Sequence, residues 1–304
     1  SFDRIRPLIE EGDFNICNFE AALSERDDYF LRKRKPFVLL ANVHKTVPAI
    51  QQEKFDLVTL ANNHLMDGGK DNLVETIEQF KGANIATIGA GSTQEEAEKP
   101  FVKIVNGKRF VIFNAYWHRN NMYVDFDFYA LGPNPGVANM SGGLFEQIKF
   151  EKKNYPESFI IVIPHWGSDF KTVSKKQRQY AHSLVEAGAD VIIGHGAHMI
   201  QEIEKVHDTY VVYSIGNGVF NSDGEYNRRH VAPYSLFAQL IYEGNRFELR
   251  LYPIYTNNLK TFWQPKFVDR KQFEHCTYIL ESFQSTQLTK KQDEQERYYY
   301  VLDL

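Results

Sequence analysis

The chain has 304 residues, of which 43% are hydrophobic and 24% charged, ordinary fractions for a globular protein long enough to bury a full core as one domain or two. A formal net charge of −4 excludes a strong field drawing the whole chain to nucleic acid or to anionic lipid. No run of 18 apolar residues argues for a membrane span, and Cys17 and Cys276 are too few for a disulfide framework or a thiolate zinc site, which fits a reducing compartment.

In chain order, Ser1 to Glu11 mixes Asp3, Arg4, Arg6 and Glu10 with its apolar residues and does not read as a signal peptide. Asp13 to Cys17 (DFNIC) and Asp56 to Leu60 (DLVTL) read as buried strands. Asp71 to Phe80 reads as a helix with Leu73, Ile77 and Phe80 on one face and Gly82 as its stop. Asn106-Gly107, between FVKIV and RFVIFNA, is a hairpin signal. Trp117 to Gly143, rich in Asn, Gly, Pro and aromatic residues, reads as a long loop over one face, a candidate lid or binding loop.

The alternation resumes with a strand at Ser158 to Ile163, a helix from Lys175 to Gly188, and strands at Asp190 to Ile193 and Tyr210 to Ser214. A second hairpin signal stands at Gly244-Asn245. Lys290 to Arg297 is charged and repetitive and reads as a solvated helix or a partly disordered tail. Strand–helix alternation with late hairpins predicts an α/β fold with mixed sheets. The expected division is one domain over residues 1–260 and a C-terminal extension over 261–304.

Four polar clusters follow four of these strands. They are Asn18-Phe19-Glu20; Ala61-Asn62-Asn63-His64, with Asp67 three residues on; His165-Trp166-Gly167-Ser168-Asp169; and Gly194-His195-Gly196-Ala197-His198. In open α/β sheets, ligands bind in the crevice beyond the carboxyl ends of the strands. Glu20, Asn63, His165, His195 and His198 make a mixed nitrogen and oxygen donor set, which suits Zn, Mn or Fe. Five donors exceed one tetrahedral site, and two ions roughly 3.5–4 Å apart can clamp the attacking and leaving oxygens of a phosphoester. Each cluster also has a purely structural reading. Asn62-Asn63 can form an Asx-turn, Glu20 can favour a helix N-terminus, and Gly194-His195-Gly196 can be a tight turn. Arg228-Arg229-His230 could meet an anionic substrate or simply form a charged surface loop. His44, His118, His182, His207 and His275 sit in no motif.

At these clusters the sequence resembles the bacterial capsule-synthesis CapA family, the poly-γ-glutamate biosynthesis relatives of the calcineurin-like metallophosphoesterases. The resemblance rests on Asn18-Phe19-Glu20, ANNHLMDGG from Ala61 to Gly69, HWGSD from His165 to Asp169, GHGAH from Gly194 to His198 and YSIGNG from Tyr213 to Gly218, in the family's order and spacing, over about residues 1–255. It implies a layered α/β/β/α sandwich with Glu20, Asn63, His165, His195 and His198 as metal ligands. It also implies His64 beside the scissile group, and Asp67, Asp169 and Asn217 orienting ligands. Gly196 and Ala197 stand where the family has His-Pro, Asp169 replaces Glu, and Gly218 replaces an aromatic residue. The family pattern opens with a strand ending in Gly-Asp, whose aspartate ligates metal. Ser1 already matches the following helix, so either the sequence begins after that strand or the site has one ligand fewer.

The expected function is therefore a metal-dependent hydrolase of capsule or poly-γ-glutamate biosynthesis, with one or two divalent ions (Mn, Fe or Zn), His64 as proton donor and Asp67 beside it. The expected partners are an anionic polymer or phosphoester substrate and a capsule synthesis complex, with no nucleic acid and no membrane span. The alternative is a non-catalytic polymer-binding or accessory component with a degraded metal site. The cytoplasm is the expected compartment for the chain as given, and a membrane-anchored or extracellular one if a further segment precedes Ser1.

Overall fold

A computed structural model describes residues 1–25, 35, 37–222 and 224–304. The chain divides into two compact units, one of residues 9–165 and one of residues 1–8 with 166–304.

In the first unit, β1 (Ile16–Asn18), β2 (Leu57–Thr59) and β3 (Ala86–Ile88) form a parallel sheet in the order β1-β2-β3. Helix α1 (Val43–Gln52) leads into β2; its first turn is closed by Asn42, whose side chain accepts from the Lys45 N–H at 3.1 Å. Helix α2 (Lys70–Gly82) joins β2 to β3 and buries Leu73 and Phe80 as the apolar spacing predicts, but Ile77 is half-buried and the polar Asn72 and Thr76 complete the buried face. The register Asn18↔Thr59 ends β1 and β2 at the same level, so the two polar loops that follow emerge side by side.

The second sheet of this unit is built on β5 (Lys108–Trp117). Along one edge β5 pairs antiparallel with β4 (Phe101–Val105) and then parallel with β6 (Asn139–Met140); along the other it pairs parallel with β7 (Phe159–His165). Phe110 to Trp117 is buried throughout, as a strand covered on both faces requires. The β4–β5 hairpin turns at Asn106 and Gly107, both with positive φ, as the Asn-Gly signal predicts. Helix α3 (Gly142–Asn154) returns the chain from β6 to β7. The segment read as a long loop is more ordered than expected: Phe128, Tyr129 and Ala130 are buried, and the Tyr129 hydroxyl donates to the Trp117 carbonyl at 2.8 Å. Aromatic side chains gave this segment apolar area of its own to bury.

In the second unit, α4 (Lys175–Ala187) opens with a capping box between Ser174 and Gln177 and ends at the left-handed Gly188. Strand β8 (Val191–Ile193) runs parallel to β10 (Thr209–Val212), and β9 (Ile203–Val206) pairs antiparallel with β10. Strands β11 (Tyr234–Glu243) and β12 (Arg246–Tyr255) form a ten-residue antiparallel hairpin through Gly244 and Asn245, again as predicted. Helix α5 (Asn258–Thr261), β13 (Lys266–Phe267) and α6 (Arg270–Ser282) follow.

The C-terminal stretch differs from expectation. β14 (Thr289–Gln292) pairs with β15 (Tyr298–Asp303), and β15 pairs with β12. Tyr299 to Leu302 are all buried, so β15 is covered on both faces: Tyr299 and Val301 pack with Leu8 and Tyr252, and Tyr300 lies against Phe273 and Thr277, while the exposed polar residues before it join as an edge strand. Both cysteines are free, and burial pushes each thiol up to about 12, so neither ionises at neutral pH. The chain is thus mixed α/β, with the parallel and antiparallel pairings of an α/β sandwich.

Candidate functional site

In the unit of residues 9–165, the loops after β1 and β2 carry Glu20, Asn63, His64 and Asp67, and β7 ends in His165. Two buried amides fix these loops. The Asn62 side chain accepts from the N–H groups of His64 and Leu65 at 3.0 and 3.1 Å, an Asx-type turn, while its amide nitrogen donates to the Phe19 carbonyl at 2.8 Å. One side chain therefore shapes the second loop and ties it to the first. Asn114, inside β5, accepts from the Ala61 N–H at 2.9 Å and donates to the Ile163 carbonyl at 2.7 Å. A Cβ at Gly89 would lie 1.9 Å from the Asn114 oxygen, so only glycine leaves room for this bridge.

On this frame the His64 Nδ1 lies 2.6 Å from Asp67 Oδ2, with both residues buried. So short a contact requires a proton between the atoms, which places a hydrogen on Nδ1 and leaves Nε2 as the ring atom that can exchange a proton. Asp67 also accepts from the Leu39 N–H at 2.8 Å and from Lys35 Nζ at 2.6 Å. Lys35 further donates to the Asn63 carbonyl, and its nitrogen stands 3.1 Å from His64 Nδ1. Burial lowers the Lys35 ammonium below its ordinary value, against the opposing pull of Asp67.

Glu20 Oε1 and His165 Nε2 are 3.9 Å apart, and the His165 ring packs at 5.5 Å from that of Tyr116. An ion sits about 2.0–2.2 Å from an imidazole nitrogen or a carboxylate oxygen. Two donors at the observed separation can therefore touch the same ion, and as a pair they fit a divalent metal. Among the described residues no group of three or more His, Cys, Asp or Glu stands close enough to hold one.

His195 and His198 belong to the other unit. There the Trp166 indole donates to the Tyr213 carbonyl at 2.7 Å, and a Cβ at Gly194 would lie 2.4 Å from both of those atoms. Glycine is needed for close approach there. The His195 carbonyl accepts from the Trp166 N–H at 2.9 Å. Burial, with a smaller contribution from His198, lowers the His195 imidazole to about 3, so it is neutral at physiological pH. His198, at a positive φ of 57°, sets Nδ1 2.9 Å from Asn217 Oδ1. The Asn217 nitrogen donates to the His198 carbonyl and to the Tyr226 hydroxyl, which fixes the amide orientation and so puts the His198 proton on Nδ1. Phe220 stacks on the His198 ring at 4.9 Å, and Phe170 lies 5.8 Å from it. Asp169, by contrast, is exposed.

Sequence reasoning missed Lys35 and Asn114. A polar residue inside the apolar run RFVIFNAYW was a readable sign of a buried amide; Lys35, within RKRKP, offered none.

Residues 1–222 match the family described as bacterial capsule synthesis protein PGA_cap. The chain is 29% identical over 225 residues to the capsule biosynthesis protein CapA of Bacillus anthracis, covering 72% of this chain and 53% of that protein. It is 28% identical to the PGA biosynthesis protein CapA of Bacillus subtilis, covering 72% of this chain and 56% of the relative. It is 26% identical to a Mycobacterium tuberculosis protein named "Probable polyglutamine synthesis accessory protein", covering 71% and 58%. The chain thus spans about half the length of the curated relatives it matches. The motifs at Glu20, Asn63-His64, His165 and His195 all lie within the matched residues, and the chain belongs to the bacterial capsule synthesis protein family.

Proposed function

We propose that this chain acts in the synthesis of a polyglutamate-type anionic capsule polymer, as a metal-assisted hydrolase working on the polymer or on a phosphoester precursor. The observation that carries the reading is the buried His64–Asp67 pair at 2.6 Å. Asp67 holds the ring by Nδ1, so Nε2 is the atom that exchanges protons with a leaving group. Glu20, Asn63 and His165 are the residues of the first unit that would hold a divalent ion of Mn, Fe or Zn, and His195 and His198 are those of the second. When bound, the metal would activate water and polarise the scissile bond. Asn217, by accepting from Nδ1 of His198, leaves Nε2 as the lone-pair atom of that ring, the tautomer that metal-binding histidines use.

A proton donor contributes roughly 10²–10⁴-fold to rate. His64→Ala should therefore lower turnover of polyglutamate or of a phosphodiester by that range while metal content stays at the wild-type level. His195→Ala should lose metal and activity together. Equal turnover in wild type and His64→Ala, both folded and metal-loaded, would remove His64 from the chemistry. The printed name of the mycobacterial relative favours a second reading, an accessory component of a synthesis complex that binds polymer without cleaving it. Saturable binding of polyglutamate with no turnover by metal-loaded protein would favour that reading.

A further inference from the structure

Beyond the last residue matched by the family, Phe262 and Trp263 follow one another with φ of 53° and 56°. This left-handed region is costly for bulky side chains, and two such residues in succession are held there only where the surroundings dictate it. The surroundings are buried and polar. Asn258 accepts from the Ser222 N–H at 3.2 Å and donates to Asn221 Oδ1 at 3.0 Å. The Asn257 side chain accepts from the Leu259 N–H at 3.2 Å, and its carbonyl accepts from the Thr261 hydroxyl at 3.0 Å. Asn257, Asn258 and Thr261 are all buried. From this rigid base Leu259, Phe262 and Trp263 project with 54%, 75% and 44% of their surface exposed. Lys260 and Lys266 flank them, and no acidic residue occurs from Thr256 to Val268.

Single exposed apolar residues need no explanation; three on one strained turn beside two lysines do. Indole and phenyl rings with neighbouring ammonium groups match the boundary between headgroups and acyl chains of a bilayer. We propose that the Leu259–Trp263 turn is a membrane-docking element, inserting Leu259, Phe262 and Trp263 into the interface of an anionic bilayer with Lys260 and Lys266 at the phosphates. The whole-chain charge of −4 supplies no long-range attraction, so the apolar tips are the main source of binding. Among the described residues no helix is long and apolar enough to cross a membrane, so the turn would dock at the surface. This inference is independent of any role for His64.

The chain reports on itself. Of its three tryptophans, Trp117 and Trp166 are 7% and 0% exposed, so solvent-sensitive emission comes from Trp263. The full chain should co-sediment with vesicles of phosphatidylcholine and phosphatidylglycerol, its emission should shift to the blue, and brominated lipid should quench it. Asparagine tolerates left-handed φ, so Phe262→Asn/Trp263→Asn should melt no lower than wild type yet bind vesicles roughly tenfold or more weakly. Leu259→Asn, on an unstrained exposed position, provides a second variant that keeps the reporter and should weaken binding in the same direction. Wild type remaining in the supernatant, or both variants sedimenting as wild type does, would overturn the proposal. So would a blue shift produced without lipid by raising protein concentration, which indicates a second copy, or by polyglutamate alone, which indicates polymer binding.

Discussion

The two units hold their motif histidines by opposite means. In residues 9–165, His64 is fixed by charge: Asp67 is shared among the imidazole, the Lys35 ammonium and a backbone N–H, all largely shielded from water. In residues 166–304, His198 is fixed by neutral groups: one amide, one phenol behind it and two phenyl rings. A buried charge left without its partner is far more costly than a buried amide left without one. The first arrangement is therefore stiff and intolerant of change, and the second orients its ring with less at stake in stability.

That contrast is easiest to break at Asp67. Asp67→Ala leaves the Lys35 ammonium buried without its carboxylate and should cost about 3–5 kcal/mol in chemical denaturation. A loss below about 1 kcal/mol would mean that the charged network is solvated in solution. Asn114→Ala tests whether the neutral fasteners of the same unit are weaker. It strips partners from the Ala61 N–H and the Ile163 carbonyl and should cost about 2–3 kcal/mol, from two backbone groups at about 1–3 each.

In the second unit the charged form is excluded instead of paired. The folded value of His195, about 3, lies below the ordinary 6.5. Between those pH values the unfolded chain takes up a proton that the folded chain refuses. Stability of the metal-free protein should be full above pH 6.5 and fall with acidification by up to about 1.4 kcal/mol per pH unit toward pH 3. Comparing denaturation at pH 7 and pH 5.5 for wild type and His195→Gln isolates this contribution, because the variant should lose the slope. The smallest effect is expected at Asn217. Asn217→Ala should cost about 1–2 kcal/mol, but nitrogen NMR of His198 should change from a single Nδ1-protonated ring to a mixture of tautomers. An unchanged His198 spectrum would show that the aromatic rings alone set the orientation.

Much of this was legible in the sequence. Apolar runs marked the strands, and Asn106-Gly107 and Gly244-Asn245 marked two hairpins whose central residues do take positive φ. The His64–Asp67 spacing placed the two residues on one turn, and the expected polar clusters follow β1 and β2 and begin at the last residue of β7. The missed parts share a physical cause. Lys35 and Asp67 are 32 residues apart, and nothing local distinguishes a lysine that pairs in the interior from its solvated neighbours. The strand at the C-terminus was missed because Lys290 to Arg297 is polar throughout, and its pairing depends on the tyrosine-rich strand that follows. The ordered core of the segment from Trp117 to Gly143 was hidden under turn-forming residues, although its aromatic residues were in plain view.

Asn114 also has a consequence for the order in which the chain assembles. Its two partners lie 53 and 49 residues away, on opposite sides of it in sequence. One bond waits until β5 has met the loop after β2 and the other until it has met β7, encounters that close long stretches of chain and are slow for that reason. The loops that carry Glu20, Asn63 and His64 are thus expected to take their final shape late in folding. Weakening Asn114 should then leave the folding rate nearly unchanged and appear almost wholly as faster unfolding.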